Sequence, residues 1–231
     1  MTEDDENTEE SQTELQEPFS LWDAPFTFII IFINVIVFLA VLVSKNQEAI
    51  FLQYGFDSAK VLQLDRLSTL VTSMFLHADA AHIFYNMIVF LIFGISVERK
   101  AGHWKFLIIY FISGIFASLF NSLFTWGTDT VSVGASGAIF GVMTSFALLY
   151  PEMRGRGGGL RSFDAIIIYF LLETFLGFVD FSSHIAHFAH VGGGITGIII
   201  TALMFPDARD LLKSIVAPEK GADEDSDIMS D

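Results

Sequence analysis

The sequence predicts an all-α membrane protein, a six-transmembrane-helix bundle with a long extracytoplasmic first loop. Three observations predict it. Of 231 residues, 52% are hydrophobic and 17% charged, 25 are phenylalanine, and the mean hydropathy is +0.56. Charge-free apolar runs recur at 24–44, 80–97, 106–127, 131–150 and 185–205, with a sixth at 165–179 interrupted by Glu173. Pro18, Pro25, Pro151, Pro206 and Pro218 all lie at or outside the ends of these runs, where a missing backbone N–H does no harm. At about 20 residues per crossing, six spans leave no room for a separate soluble catalytic domain, so any chemistry must sit among the helices.

The chain divides by charge. Residues 1–17 hold eight acids and no base, and 207–231 hold eight acids against Arg209, Lys213 and Lys220. Segments 1–23 and 206–231 therefore read as acidic, disordered cytoplasmic tails around a membrane domain at 24–205. Nearly all of the net charge of −15 belongs to these tails. One reading of them is a salt-rich, halophilic prokaryotic cytoplasm, where excess carboxylate favours solubility; a partner-binding tail is the other. No basic stripe exists to neutralise phosphates, which argues against nucleic acid as a partner. Cysteine is absent, which excludes disulfides, thiolate metal sites and a cysteine nucleophile.

The first span, 24–44, follows an acidic start and is long enough to cross, so it reads as a retained helix rather than a cleaved signal. The connection from Lys45 to Asp79 is the long first loop. Within it Leu67, Leu70, Val71, Met74 and Phe75 recur at helical spacing, which predicts a helix with one apolar face lying in the interface or on the bundle. Orientation follows from the basic residues. Arg99, Lys100 and Lys105 lie between spans two and three, Arg154, Arg156 and Arg161 between four and five, and three more after six. Nine of the twelve thus fall on one side, which puts both termini of a multi-pass cell-membrane protein in the cytoplasm.

Polar side chains in such spans must be satisfied or used. His82 and Asn86, four apart, share one face of the second span, with His77 at its entrance. Ser136 sits in Gly134-Ala135-Ser136-Gly137 at the start of the fourth. His190, Gly193 and Gly197 share a face of the sixth, and Glu173 is alone in the fifth. Gly137-x-x-x-Gly141 and Gly193-x-x-x-Gly197 give the fourth and sixth helices matching small faces, whose contact would bring Ser136 and His190 together. That pairing is a hydroxyl with an imidazole to take its proton. No third carboxylate is evident beside His190; Phe140, one turn after Ser136, can orient the imidazole by stacking. The free amides at the start of the fourth helix, with His82 and Asn86 as side-chain donors, can hold an oxyanion. Water is expected to enter through a polar cavity between His77, His82 and the outer loops.

These residues resemble the rhomboid family of intramembrane serine proteases over about 65–200. The motifs are His77, His82 and Asn86; Val97-Glu98-Arg99; Gly134-Ala135-Ser136-Gly137-Ala138-Ile139-Phe140-Gly141; and Ala189-His190-Val191-Gly192-Gly193 with Gly197. The resemblance implies a Ser136–His190 catalytic dyad, with no cofactor or metal. It implies that His82 and Asn86 stabilise the oxyanion, that His77 assists at the mouth, that Gly134 and Phe140 belong to the supporting set, and that Arg66 and Glu98 are structural. It also implies that the partners are transmembrane protein substrates in the lipid bilayer, cut in or beside their membrane segments. Where the family often has Trp-Arg in the first loop, this chain has Asp65-Arg66. His184 and His187 compete for the base position, but His190 has glycines at both +3 and +7. Two other readings are an inactive relative that binds and escorts transmembrane segments, and a transporter or metal site using His77, His82, Glu173 and His190. The five-residue interval from His77 to His82 is awkward for two ligands on one helix, and no discontinuous repeat is evident.

Overall fold

In a computed structural model that describes residues 21–125, 131–154, 158–179 and 186–216, Pro25 opens α1 (Pro25–Leu42), where its missing N–H is harmless. Two amides of this first turn are received by Glu98, an acid with no solvent exposure. Phe26 N donates to Oε1 at 3.0 Å, and Thr27 N and Thr27 Oγ1 both donate to Oε2 at 2.8 Å. His103 Nδ1 approaches Oε1 at 2.8 Å. One carboxylate thereby caps α1 and ties it to the next two long helices, as a negative charge at a helix N-terminus should. Glu98→Ala would leave these donors without an acceptor in a buried site, at about 1–3 kcal/mol for each backbone group. We expect a loss of about 3–5 kcal/mol in unfolding experiments in detergent, with Glu98→Gln costing less.

The long connection carries α2 (Gln47–Tyr54), β1 (Phe56–Asp57), α3 (Ser58–Leu62) and α4 (Thr69–Thr72), with a 3-10 turn at Ser73–Phe75. The apolar periodicity over 67–75 thus becomes a short helical stretch, an α turn at 69–72 that tightens without a break into the 3-10 turn at 73–75. Met74 is buried while Leu67 and Val71 stay exposed. Arg66 has a positive φ of 54° and donates to Leu52 O at 2.8 Å, holding the loop against α2.

Next come α5 (Ala80–Ala101) and α6 (His103–Ser122), separated by Gly102 alone, whose φ of 80° suits glycine. Asp79 caps α5 by accepting from His82 N at 2.8 Å. β2 (Val131–Ser132) pairs antiparallel with β1, Phe56 opposite Ser132 and Asp57 opposite Val131. α7 runs from Ser136 to Leu149, so Ser136 stands at the helix start as the sequence suggests, and the apolar run's first residues from 131 form β2 instead. Pairing with β1 and the φ of 130° at Gly134 precede its start. Finally α8 (Ser162–Val179), α9 (His187–Met204) and α10 (Pro206–Val216) complete the described chain. The segment expected to be a disordered tail from 206 is therefore helical to Val216, with Ala208 packed inside. Residues 1–20 and 217–231 lie outside the described residues.

Every residue of α7 from Gly137 to Leu148 is buried, with α5, α6, α8 and α9 around it. The outer faces are apolar instead. Ile29, Phe32, Ile36 and Leu39 of α1, Phe84, Tyr85 and Ile92 of α5, and Leu171, Leu172 and Phe175 of α8 are all exposed. So much outward apolar surface fits lipid, not water, as the solvent. Among the described residues, α1, α5, α6 and α9 are long and apolar enough to cross a membrane, and α7 is a shorter apolar helix.

Candidate active site

The glycine faces of α7 and α9 meet backbone to backbone. A methyl group on Gly193 would fall 1.9 Å from the carbonyl oxygen of Gly137, and one on Gly197 would fall 2.2 Å from that of Gly141. At that approach Ser136, the first residue of α7, and His190, in the first turn of α9, face each other. His190 Nε2 lies 2.9 Å from Ser136 Oγ. This is hydrogen-bond length, the separation that a hydroxyl and an imidazole need for proton transfer. Phe140 stacks on the His190 ring at 4.4 Å and 8° between planes, and Tyr169 stacks on Phe140 at 5.5 Å. The imidazole plane is thereby fixed by the aromatic one turn after the serine.

Among the described residues no side chain caps the start of α7, and its first amides and the positive end of its dipole lie beside Ser136 Oγ. His82 and Asn86 stand against Gly134. A side chain there would meet His82 Nε2 at 2.9 Å and Asn86 Nδ2 at 3.8 Å, so this position must be small as well as left-handed. Asn86 is buried, and its Nδ2 has no hydrogen-bond partner. An unpartnered buried donor next to a nucleophile suits an acceptor that forms only during reaction.

His77 is not at an open mouth. It is 2% exposed, its ring packs edge-on against His82 at 5.0 Å, and among the described residues neither ring nitrogen has a partner at good hydrogen-bond geometry, the Phe75 backbone being only near the ring. Burial, then the neighbouring His82, push it from the ordinary 6.5 down to about 3, outweighing the Phe75 backbone and the Asp79 charge. Any help it gives must come from a neutral ring. Below pH 6.5 the unfolded chain binds a proton here that the folded chain refuses until about pH 3. Stability should therefore fall with pH through that window, at up to about 1.4 kcal/mol per unit from this group. Unfolding of the wild type and of His77→Leu across pH 4–7, roughly the span between the two values, measures it; equal slopes would contradict the assignment.

A cleft lies on the α6 side of Ser136, between that helix and the outer loop at 132–134. It is small, with about 30 Å³ of space open to water, and is lined by Ser73, Met74, Gly114, Ala117, Asn121 and Gly134 among others. Ser136 is on its wall. Small residues on α6 make the room: a methyl on Gly114 would strike the Met74 thioether at 2.3 Å.

From the sequence Glu173 has no catalytic role, only an expected hydrogen bond to a neighbouring helix, and no carboxylate is evident near His190. The fold bears out the first expectation and corrects the second. Glu173 Oε2 lies 2.9 Å from His190 Nδ1 and 2.7 Å from His187 Nδ1. The signal was present, since a lone acid in an apolar run must find a partner, but its partner lies on another helix. His184 lies outside the described residues. Glu173, His187 and His190 are also the described residues whose ligand atoms, within 4.8 Å of one another, come nearest to a metal-binding set.

The chain is also similar to known proteins. A sequence model of the rhomboid domain matches residues 64–207. The chain is 35% identical over 148 residues to "RHOMBOID-like protein 6, mitochondrial" of Arabidopsis thaliana, covering 62% of this chain and 46% of that one. It is 31% identical over 182 residues to "Rhomboid protease GluP" of Bacillus subtilis, covering 78% and 34%. It is 31% identical over 154 residues to "Rhomboid protease AarA" of Providencia stuartii, covering 56% and 53%. The chain thus spans about a third to a half of the length of these relatives. Matched over more than half of its own length and built on apolar, membrane-length helices, this multi-pass membrane chain belongs to the rhomboid family.

Proposed function

We propose that this protein is an intramembrane serine endopeptidase that hydrolyses peptide bonds in or beside transmembrane segments of other membrane proteins. The observation that carries the reading is the 2.9 Å contact between Ser136 Oγ and His190 Nε2 at the head of a buried helix. Two relatives named as rhomboid proteases, GluP and AarA, support it.

Ser136 attacks the scissile carbonyl carbon as His190 Nε2 takes the hydroxyl proton. The carbonyl oxygen becomes an anion that the first amides of α7 and the side chains of Asn86 and His82 stabilise. Each such donor contributes about 3–4 kcal/mol at sites of this kind. His190 then gives the proton to the leaving amine as the C–N bond breaks. A water attacks the acyl-enzyme with His190 again as base, and Ser136 regains its proton.

Depth follows from helix length. Fourteen residues at 1.5 Å each make α7 about 21 Å long, roughly 9 Å short of a bilayer's hydrocarbon core. Ser136 is then recessed from the membrane surface, and the cleft beside it supplies water. In the six-span arrangement with both termini cytoplasmic, the site opens toward the non-cytoplasmic side, under the loop containing β1. A substrate helix must unwind to expose its peptide bond there.

The test is cleavage of a tagged single-span substrate by purified protein in liposomes, at low and molar salt, comparing wild type with Ser136→Ala and His190→Ala. Product from the wild type alone, with the cut in or beside the membrane segment, supports the proposal. Equal cleavage by all three proteins would refute it, and binding without cleavage across several substrates would favour an escort of transmembrane segments.

A further inference from the structure

Glu173 is 7% exposed on α8, among helices with little else that is charged. A carboxylate in such surroundings needs donors. It finds two, since His187 Nδ1 at 2.7 Å and His190 Nδ1 at 2.9 Å both meet the same oxygen, Oε2. One oxygen serving two ring nitrogens is the arrangement of an ionised acceptor, so each Nδ1 carries its proton. For His190 this decides the tautomer. With the proton on Nδ1, Nε2 holds a lone pair 2.9 Å from the Ser136 hydroxyl.

We propose that Glu173 is a positioning residue that completes a Ser136–His190–Glu173 triad in this protein, keeping His190 in the tautomer that accepts the serine proton and compensating the imidazolium formed on attack. His187, three residues before His190 on the same face of α9, donates to the carboxylate and holds it in place. As the Oγ–C bond forms, the hydroxyl proton moves to His190 Nε2, while the Nδ1 proton stays on His190 against Glu173. The Nε2 proton leaves with the amine when the C–N bond breaks, and Glu173 carries no proton at any step. Removing the carboxylate from such an arrangement lowers turnover by about 10²–10⁴-fold, chiefly by letting the imidazole adopt the wrong tautomer.

A metal ion at the same three residues is the competing reading, and the distances disfavour it. Zinc ligands about 2.0–2.1 Å from a tetrahedral ion stand roughly 3.3 Å apart, whereas these oxygen–nitrogen separations are hydrogen-bond lengths.

The inference rests on the serine-protease reading, but its test can fail separately. The full chain in liposomes is compared with Glu173→Gln and Glu173→Ala in three assays: kcat and KM for the tagged substrate, the rate of Ser136 labelling by a fluorophosphonate, and the ¹⁵N shifts of labelled histidine. We expect kcat and the labelling rate to fall about 100-fold or more with KM unchanged. The His190 signal should move from Nδ1-protonated in the wild type to a mixture including Nε2-protonated in Glu173→Gln. Near-wild-type kcat in Glu173→Gln, an Nε2-protonated His190 in the wild type, or a stoichiometric metal whose removal abolishes activity would each overturn the triad. If the Glu173 variants do not fold, the wild-type tautomer alone decides. If the wild type cleaves nothing, the protease reading fails, while labelling and tautomer still judge the role of Glu173.

Discussion

Ser136→Ala, His190→Ala and the double variant are all expected to lose cleavage to the same floor. Each residue does its work through the other. Without His190 the hydroxyl keeps its proton, and without Ser136 the imidazole has nothing to activate. Their Nε2–Oγ contact of 2.9 Å makes them one unit, and residues acting as a unit give losses that do not multiply. The drop in kcat should reach about 10⁶-fold for either single change, leaving the modest residual rate that oxyanion donors alone sustain. Single-turnover cleavage in liposomes measures it. A double variant clearly slower than both single variants would mean that the two residues act independently.

Gly193→Ala is expected to have the second-largest effect, and without touching a reacting atom. The added methyl would sit 1.9 Å from Gly137 O, 2.7 Å from Gly137 C and 3.2 Å from Gly137 Cα. The obstacle is backbone, which cannot rotate aside, so α9 must retreat from α7 by roughly 1.5 Å to restore a normal contact. The Ser136–His190 contact lengthens with it, and displacements of about 1 Å at a reacting pair cost on the order of 100-fold in rate. Helix association in lipid depends on such close packing rather than on exclusion of water, so stability should fall as well. Fluorophosphonate labelling of Ser136 together with unfolding in detergent checks both. Labelling at the wild-type rate would show that the two helices accommodate the methyl elsewhere.

Much of the site was legible in the chain because its parts obey local rules. Helical periodicity puts His82 and Asn86 on one face, and the same rule aligns His190 with Gly193 and Gly197. The small-residue spacing anticipated the α7–α9 contact, and the aromatic one turn after Ser136 anticipated the stacking on His190. What the chain did not show depends on partners far away in sequence. The strand before α7 is set by pairing of Val131 and Ser132 with Phe56 and Asp57, about 75 residues earlier, which apolar composition does not reveal. The cleft opens on the α6 side because Gly114 and Ala117 leave space there, a matter of packing between helices. The first-loop periodicity is real, and the short helix it forms at 69–75 is preceded by Leu64 and Arg66, both at positive φ.

The sequence alone thus determined that the chain is an apolar helical membrane protein, which side chains are available for chemistry, and which of them share a helix face, because hydropathy and the 3.6-residue repeat are local properties. Tertiary structure decided which faces meet. Glu173 shows the difference most sharply: an acid in an apolar run announces that it has a partner, but only the packing of α8 against α9 selects His187 and His190 as that partner. The physical reason is that a carboxylate away from water must take its donors from neighbouring helices, and interhelical neighbours are set by side-chain packing summed over the whole bundle.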